Sequence, residues 1–172
     1  GGQILERFQS LMNPGVRVSQ FIENYTGITN QMVQDAPDAA EVMRAFADFI
    51  GDEPLVAHNA SFDRRFLNTE FALIGQGARD NFGCSMLISR RVYPDAPNHK
   101  LETLVRYKDL QTDGTFHRAL ADAEMTAYLW MSMSEDLRSL YGFDQVPFVL
   151  MRELAKVPKA QVGAYLLRLL NS

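Results

Sequence analysis

The sequence predicts an α/β domain in which short strands are interleaved with longer helices. Three observations support this fold class. Apolar runs of strand length, such as Leu55–Ala57, alternate with segments whose apolar residues recur at helical spacing. The chain has 172 residues, of which 47% are hydrophobic, and this suits one domain with a single core. Proline and glycine residues fall between these segments and mark where the elements end.

The first half of the chain predicts a strand, a helix and a second strand. Residues 3–12 alternate loosely between apolar and polar and then meet Asn13-Pro14-Gly15, which predicts a strand ending in a turn. A helix is predicted from Asp38, which can cap it, to the residue before Gly51. Leu55–Ala57 reads as a buried strand that leads into a sharp strand-to-helix junction.

Helices dominate the second half. The strand-to-helix junction is followed by a helix that carries Phe62, Phe66, Leu67, Phe71 and Ile74 and stops at Gly75. Further helices are predicted over Met86–Val92, Leu101–Tyr107 and, longest of all, from near Arg118 to about Leu140. In the longest helix, the spacing predicts a buried stripe formed by Met125, Leu129, Met133 and Leu137.

The last thirty or so residues predict a C-terminal helical extension, because they end in an amphipathic pattern. We expect residues 1–142 to form the main domain and residues 143–172 to pack on it. A homodimer through the apolar face of the extension is the alternative.

Composition narrows the class of protein. The formal net charge of −4 does not suggest bulk attraction to nucleic acid, although an enzyme that holds one strand end needs only local basic patches. The single cysteine, Cys84, lies at a predicted strand end and is expected to be a buried, inert thiol in a reducing cytoplasm. No apolar run approaches about 18 residues, and the first residues do not resemble a signal peptide, so neither export nor membrane insertion is predicted.

Two similar motifs suggest metal-dependent chemistry. His58-Asn59-Ala60-Ser61-Phe62-Asp63 and His117-Arg118-Ala119-Leu120-Ala121-Asp122 each place a carboxylate near the start of a predicted helix. Hard cations prefer carboxylate oxygens, and two Mg²⁺ ions about 3.5–4 Å apart can together support phosphodiester hydrolysis. Asp63 and Asp122 are therefore candidate metal ligands. His117 is a candidate general base, although an isolated histidine at a helix start is often only a cap or a surface residue.

Candidate substrate contacts lie near the first motif and in a loop. Asn59 and Phe62 could face a nucleotide, the phenylalanine by stacking, but Asn59 or Ser61 could instead cap the helix and Phe62 could belong to the core. His58 is expected to be a polar residue that closes the strand. Lys100, in a loop bounded by prolines, could hold a backbone phosphate.

The two motifs, in this order and about sixty residues apart, resemble the second and third motifs of the DEDDh, or DnaQ-like, 3′ to 5′ exonucleases. The resemblance spans most of residues 3–140 and implies a ribonuclease H-like fold with a central mixed sheet flanked by helices. It also implies that Asp63 and Asp122 bind Mg²⁺ or Mn²⁺ and that His117 is the general base. The implied substrate is a single-stranded 3′ end of a nucleic acid, with DNA favoured as in the DNA polymerase III epsilon-like proteins, and a polymerase is an expected partner beside a homodimer.

The sequence departs from the family in one motif. The family's Asp-x-Glu on the opening strand is absent, and the only such triplet here, Asp122-Ala123-Glu124, lies inside a predicted helix where the two side chains point in different directions. One explanation is an exonuclease whose opening segment lies outside this sequence. The other is a catalytically incomplete fragment that acts as a nucleic-acid-binding or protein-interaction module. Because loss of a central strand would cost more stability than such a domain has in reserve, the first is favoured.

Overall fold

A computed structural model describes residues 2–111 and 119–170 of the chain. Its elements confirm the predicted α/β class, since helices surround a small parallel sheet. The strands are β1 (Leu55–Ala57) and β2 (Phe82–Cys84). The helices in the described residues are α1 (Gln20–Thr26), α2 (Asn30–Gln34), α3 (Ala39–Ile50), α4 (Ser61–Leu73), α5 (Ser85–Val92), α6 (Leu101–Tyr107), α7 (Ala119–Tyr141), α8 (Phe148–Leu154) and α9 (Val162–Leu170), with a 3-10 turn at Lys159–Gln161.

The sheet is formed by β1 and β2, which pair in parallel with Leu55 opposite Phe82 and Ala57 opposite Cys84. Parallel strands require a crossover connection, and α4 provides it. Helix α7 packs against β1, while α8 packs against β2. The sheet therefore lies among helices, and the carboxyl ends of both strands lie at the same edge. Cys84 ends β2 as predicted, but it is only half-buried.

Helix α3 confirms the prediction made from its capping residues. The Asp38 side chain accepts a hydrogen bond from the Glu41 amide at 2.7 Å, which satisfies one of the free amide groups of the first turn. Gly51 follows the helix with a φ of 50°, a conformation that glycine adopts without a steric penalty. The inner face of α3 is buried through Val42, Met43, Ala47 and Ile50.

The predicted strand over residues 3–12 is wrong, because this segment has no regular secondary structure. Its side chains contact two different helices instead. Arg7 forms an ion pair with Glu124 on α7, and the Phe8 ring lies 5.4 Å and 5.5 Å from the rings of Phe46 and Phe49 on α3. Just after this segment, Asn13 makes an isolated bridge to Asp38. Within the described residues, the segment therefore has no ladder of hydrogen bonds to pair its backbone N–H and C=O groups as a strand would.

Helices α1 and α2 were not predicted from the sequence, although their capping residues are visible in it. The Ser19 hydroxyl accepts a hydrogen bond from the Ile22 amide at 3.4 Å, and the Thr29 hydroxyl accepts one from the Met32 amide at 3.3 Å. Both helices are shorter than two full turns, which is too short for apolar periodicity to be recognised.

Two clusters of buried side chains form the core. The predicted stripe on α7 is confirmed, since Met125, Leu129, Met133 and Leu137 are all buried. Three of them share the larger cluster with residues of α8 and α9, namely Met151, Leu154, Val162 and Leu166. The smaller cluster lies between α3 and α4 and contains Met43, Ala47, Ile50, Leu67 and Phe71. No helix in the described part of the chain is long and apolar enough to cross a membrane.

Candidate active site

The junction between β1 and α4 carries the first motif. Asn59 has a φ of 72°, a left-handed conformation that asparagine tolerates better than most residues other than glycine. Its carbonyl accepts a hydrogen bond from the Phe62 amide at 3.2 Å, which closes the turn into α4. The prediction that Asn59 or Ser61 caps this helix is wrong, because Ala60 occupies the cap position and no side chain bonds there. The left-handed turn at Asn59 starts the helix instead.

Asp63 lies in the first turn of α4, directly beyond the carboxyl end of β1. Partial burial of its carboxyl group raises the pKa, and the nearby His58 ring and the helix backbone oppose that rise. The residue as a whole is exposed, so solvent reaches one side of the carboxylate.

His58 is held by both of its ring nitrogens. Nδ1 lies 2.9 Å from the Ser85 hydroxyl, and Nε2 lies 3.0 Å from the His99 carbonyl oxygen. Burial lowers the pKa of His58, which favours the neutral ring. Because a carbonyl can only accept, the neutral ring carries its proton on Nε2 and donates it to His99. Nδ1 then accepts from the Ser85 hydroxyl, whose one proton is shared with the Ala57 carbonyl 3.3 Å away. His58 thus closes the strand, as predicted, and also fixes a loop that is distant in sequence.

That loop connects α5 to α6 and is held at its other end by a polar cluster. The His99 ring donates from Nε2 to the Tyr93 carbonyl at 3.1 Å. The Tyr93 hydroxyl donates to Asp136 of α7 at 2.5 Å, and Lys108 forms an ion pair with the same carboxylate at 2.8 Å. Burial and the hydrogen bond to Asp136 raise the pKa of Tyr93, so the phenol keeps its proton. The loop is therefore tied both to the sheet and to α7.

Lys100 and Phe62, two predicted substrate contacts, are both exposed. Lys100 directly precedes α6, and its amide donates to the Asn98 side chain at 2.9 Å in a tight turn. Phe62 is 60% exposed and stacks on Phe66 with the ring centroids 6.5 Å apart. The alternative that Phe62 belongs to the core is therefore wrong in this structure, and its ring face is accessible.

Asp122 lies in the first turn of α7 and is half-buried. Glu124, two residues further on, turns to Arg7 instead, as expected for residues on different sides of a helix. Because α7 packs against β1, the helix that carries Asp122 lies beside the strand that leads to Asp63. His117, the predicted general base, lies outside the described residues.

Comparison with known proteins assigns the family. A family model described as Exonuclease matches residues 1–130, which include both motifs.

This chain belongs to the exonuclease family.

The prediction of a DnaQ-like 3′ to 5′ exonuclease domain is confirmed by this match and by the relatives that share it. The DNA polymerase III PolC-type of Bacillus subtilis (strain 168) is 42% identical over 138 residues, which cover 79% of this chain and 10% of the relative. The corresponding protein of Listeria monocytogenes is 36% identical over 144 residues, which cover 83% of this chain and 10% of the relative. This exonuclease chain thus spans about a tenth of the length of these curated relatives.

A solved structure confirms the predicted ribonuclease H-like fold. The structure of exonuclease X in complex with 5′ overhanging duplex DNA superposes with a TM-score of 0.66 and 25% sequence identity. The match covers 90% of this exonuclease chain and 84% of exonuclease X. A match of this extent includes most of the chain, rather than a single shared element.

Exonucleases of this family use divalent metal ions, and the described residues provide part of a suitable ligand set. Asp63 and Asp122 are carboxylates with the oxygen ligands that hard cations prefer. Within residues 2–111 and 119–170, however, no three histidine, cysteine or acidic residues come together in a group that could hold a metal ion. The two aspartates fit the chemistry of such a site but do not by themselves complete its coordination.

Proposed function

We propose that this domain hydrolyses phosphodiester bonds at the 3′ ends of nucleic acids and that Asp63 and Asp122 are its metal ligands. The observation that carries the proposal is the arrangement around β1. The strand leads into α4, which carries Asp63 in its first turn. Helix α7 packs against the same strand and carries Asp122 in its own first turn. Because the chain belongs to the exonuclease family, we infer that this arrangement of two aspartates serves phosphodiester hydrolysis.

The remaining roles follow from the chemistry of each side chain. Mg²⁺ or Mn²⁺, when bound, would neutralise phosphate charge and lower the pKa of a bound water. The histidine side chain ordinarily titrates at about pH 6.5, so this residue type at position 117 suits a general base at neutral pH. Asn59 and Phe62 are proposed to contact the terminal nucleotide, and the exposed ring of Phe62 supports this role. Lys100 is proposed to bind a backbone phosphate.

We propose single-stranded DNA as the substrate and a polymerase as the partner in the cytoplasm. The support for DNA and a polymerase comes from the relatives, which are named as DNA polymerase III, and from exonuclease X, whose structure contains 5′ overhanging duplex DNA. The single-stranded preference follows from the family resemblance of the two motifs. A homodimer is the alternative assembly. RNA remains an alternative substrate because the metal-dependent chemistry acts on the phosphate and not on the sugar.

The test is degradation of a 5′-labelled single-stranded DNA oligonucleotide in the presence of Mg²⁺ or Mn²⁺. We expect a ladder of products shortened from the 3′ end, and at least a hundredfold slower reaction in Asp63→Asn and Asp122→Asn, on the order expected when a metal ligand is lost. Asp144→Asn is the matched control, since Asp144 is an exposed aspartate in the loop after α7. His117→Ala should slow turnover while Mn²⁺ affinity stays within about twofold. Equal rates in all four variants would overturn the proposal.

A second candidate function is binding without cleavage. It is favoured by one observation, namely that the described residues contain no group of three possible metal ligands. Two carboxylates rarely hold two hard cations, so this function predicts weak Mn²⁺ binding and no products from the oligonucleotide. Isothermal titration with Mn²⁺ separates the two functions, because tight binding at two sites would exclude the binding-only function.

A further inference from the structure

His58 makes two hydrogen bonds that serve different parts of the molecule. The Nδ1 bond, to Ser85 at 2.9 Å, is local to the sheet, because Ser85 begins α5 directly after β2. The Nε2 bond, to the His99 carbonyl at 3.0 Å, reaches a residue 41 positions further along the chain. The second bond therefore fixes the loop between α5 and α6 against the carboxyl end of β1.

The bonded carbonyl belongs to the residue immediately before Lys100. Asn98 and Lys100 form a tight turn around it, in which the Lys100 amide donates to the Asn98 side chain at 2.9 Å. The Lys100 side chain is exposed. His58 donates a hydrogen bond to the carbonyl of His99, the middle residue of this turn. This bond therefore helps to determine the position from which the Lys100 ammonium group extends.

We propose that His58 is a positioning residue, which holds the Asn98–Lys100 turn against the end of β1 so that Lys100 meets a phosphate of a bound nucleic-acid strand. The inference rests on the proposed function, since it requires that this edge of the sheet receives nucleic acid. It assigns to His58 a part in substrate binding that is exerted through the loop and not through contact with substrate or metal.

The two bonds can be broken one at a time. In His58→Gln the side-chain amide extends to the ε position, so its NH₂ group can still donate to the His99 carbonyl while the bond to Ser85 is lost. In His58→Asn the amide stops at the δ position, so the bond to Ser85 can remain while the bond to His99 is lost. His58→Ala removes both bonds. The inference predicts that nucleic-acid affinity follows the bond to His99.

The experiment measures the dissociation constant of a fluorescent single-stranded oligo(dT) by anisotropy, with Ca²⁺ in place of a catalytic metal. Lys100→Ala should weaken binding about three- to tenfold and lower the salt slope by roughly 0.7, as for one lost phosphate contact. His58→Asn and His58→Ala should weaken binding by a similar factor, and His58→Gln by less than about twofold. In the Lys100→Ala background, no change at His58 should weaken binding further.

Thermal unfolding of each variant provides the readout that separates positioning from folding. If affinity follows the melting temperature across the His58 variants, or if His58→Ala still weakens binding when Lys100 is absent, the inference is overturned. Lys159→Ala, which removes an exposed lysine from the 3-10 turn before α9, is the charge control and should leave affinity within about twofold. If the unmodified protein binds no oligonucleotide, the proposed function itself fails and the inference fails with it. Normal binding that is insensitive to Lys100→Ala overturns the inference alone.

Discussion

At the scale of single residues, Gly83 shows how tightly the sheet is covered. A Cβ atom at this position would lie 2.6 Å from Trp130 Cη2 and 3.0 Å from Phe148 Cε2. These two rings stack on each other with centroids 5.6 Å apart, and Trp130 also packs against the larger core cluster. Only a residue without a side chain allows α7 and α8 to bring their rings onto β2.

We expect Gly83→Ala to destabilise the protein by about 1–3 kcal/mol, because rigid rings must move to admit the methyl group. Gly77→Ala is the matched control, since a Cβ there meets no atom within 4 Å and its φ is not positive. Urea denaturation followed by fluorescence is the measurement, and Trp130 is the only tryptophan of the chain. Equal midpoints for the two variants would show that the contact is not restrictive.

His58 gives a prediction about pH. Burial is the main cause that lowers the pKa of His58, and the charge of the His99 ring acts in the same direction. The hydrogen bond to the His99 carbonyl and the charge of Asp63 act in the opposite direction. The unfolded chain then binds a proton more readily than the native protein as the pH falls below the ordinary value of about 6.5. The contribution of His58 to the free energy of unfolding should therefore be fully present above that pH. It should be lost as the pH falls from there through the lowered native pKa.

The measurement for His58 is the urea midpoint at several pH values between about 5 and 7.5. The decrease on acidification should be smaller in His58→Gln, which does not titrate there. A loss of stability that is equally steep in this variant would assign the effect to other groups.

At the scale of elements, the start of α3 depends on one hydrogen bond. Asp38→Ala removes the acceptor that lies 2.7 Å from the Glu41 amide, and we expect a loss of about 0.5–2 kcal/mol. Asp38→Asn keeps an acceptor oxygen and should lose much less. Thermal unfolding compares the two variants, and a similar loss in both would point to the charge of Asp38 rather than to its cap.

The elements also show what the sequence could and could not predict. Helix α6 and strand β1 were predicted with their observed bounds, and the buried stripe of α7 was correct, because these patterns depend on local periodicity. Residues 3–12 were predicted wrongly because the Arg7–Glu124 ion pair joins residues 117 positions apart.

In the candidate site, the place of Asp63 in a first helical turn was predicted from the motif. The hydrogen bond from His58 to the His99 backbone could not be predicted from the sequence, because every residue has a backbone carbonyl and only the fold determines which one lies near His58.

At the scale of the whole molecule, α8 and α9 share the larger core cluster with α7 and α5. Leu166 of α9 is fully buried there, together with Met133 of α7 and Ile88 of α5. This packing supports the proposal that residues 143–172 form an extension fixed to the main domain. It also predicts that the extension unfolds together with the domain rather than before it.

Leu166→Ala tests this cooperativity, because it leaves a cavity where three helices meet. We expect a loss of about 2–5 kcal/mol, against less than about 0.5 kcal/mol for Leu140→Ala, a leucine on α7 whose side chain is 74% exposed. Urea denaturation should be followed both by Trp130 fluorescence and by far-ultraviolet circular dichroism. For a single cooperative unit the two signals shift together, since loss of packing at α9 reaches α7 through the shared cluster. An early transition seen by circular dichroism alone would mean that the extension melts separately while the motif-bearing domain stays folded.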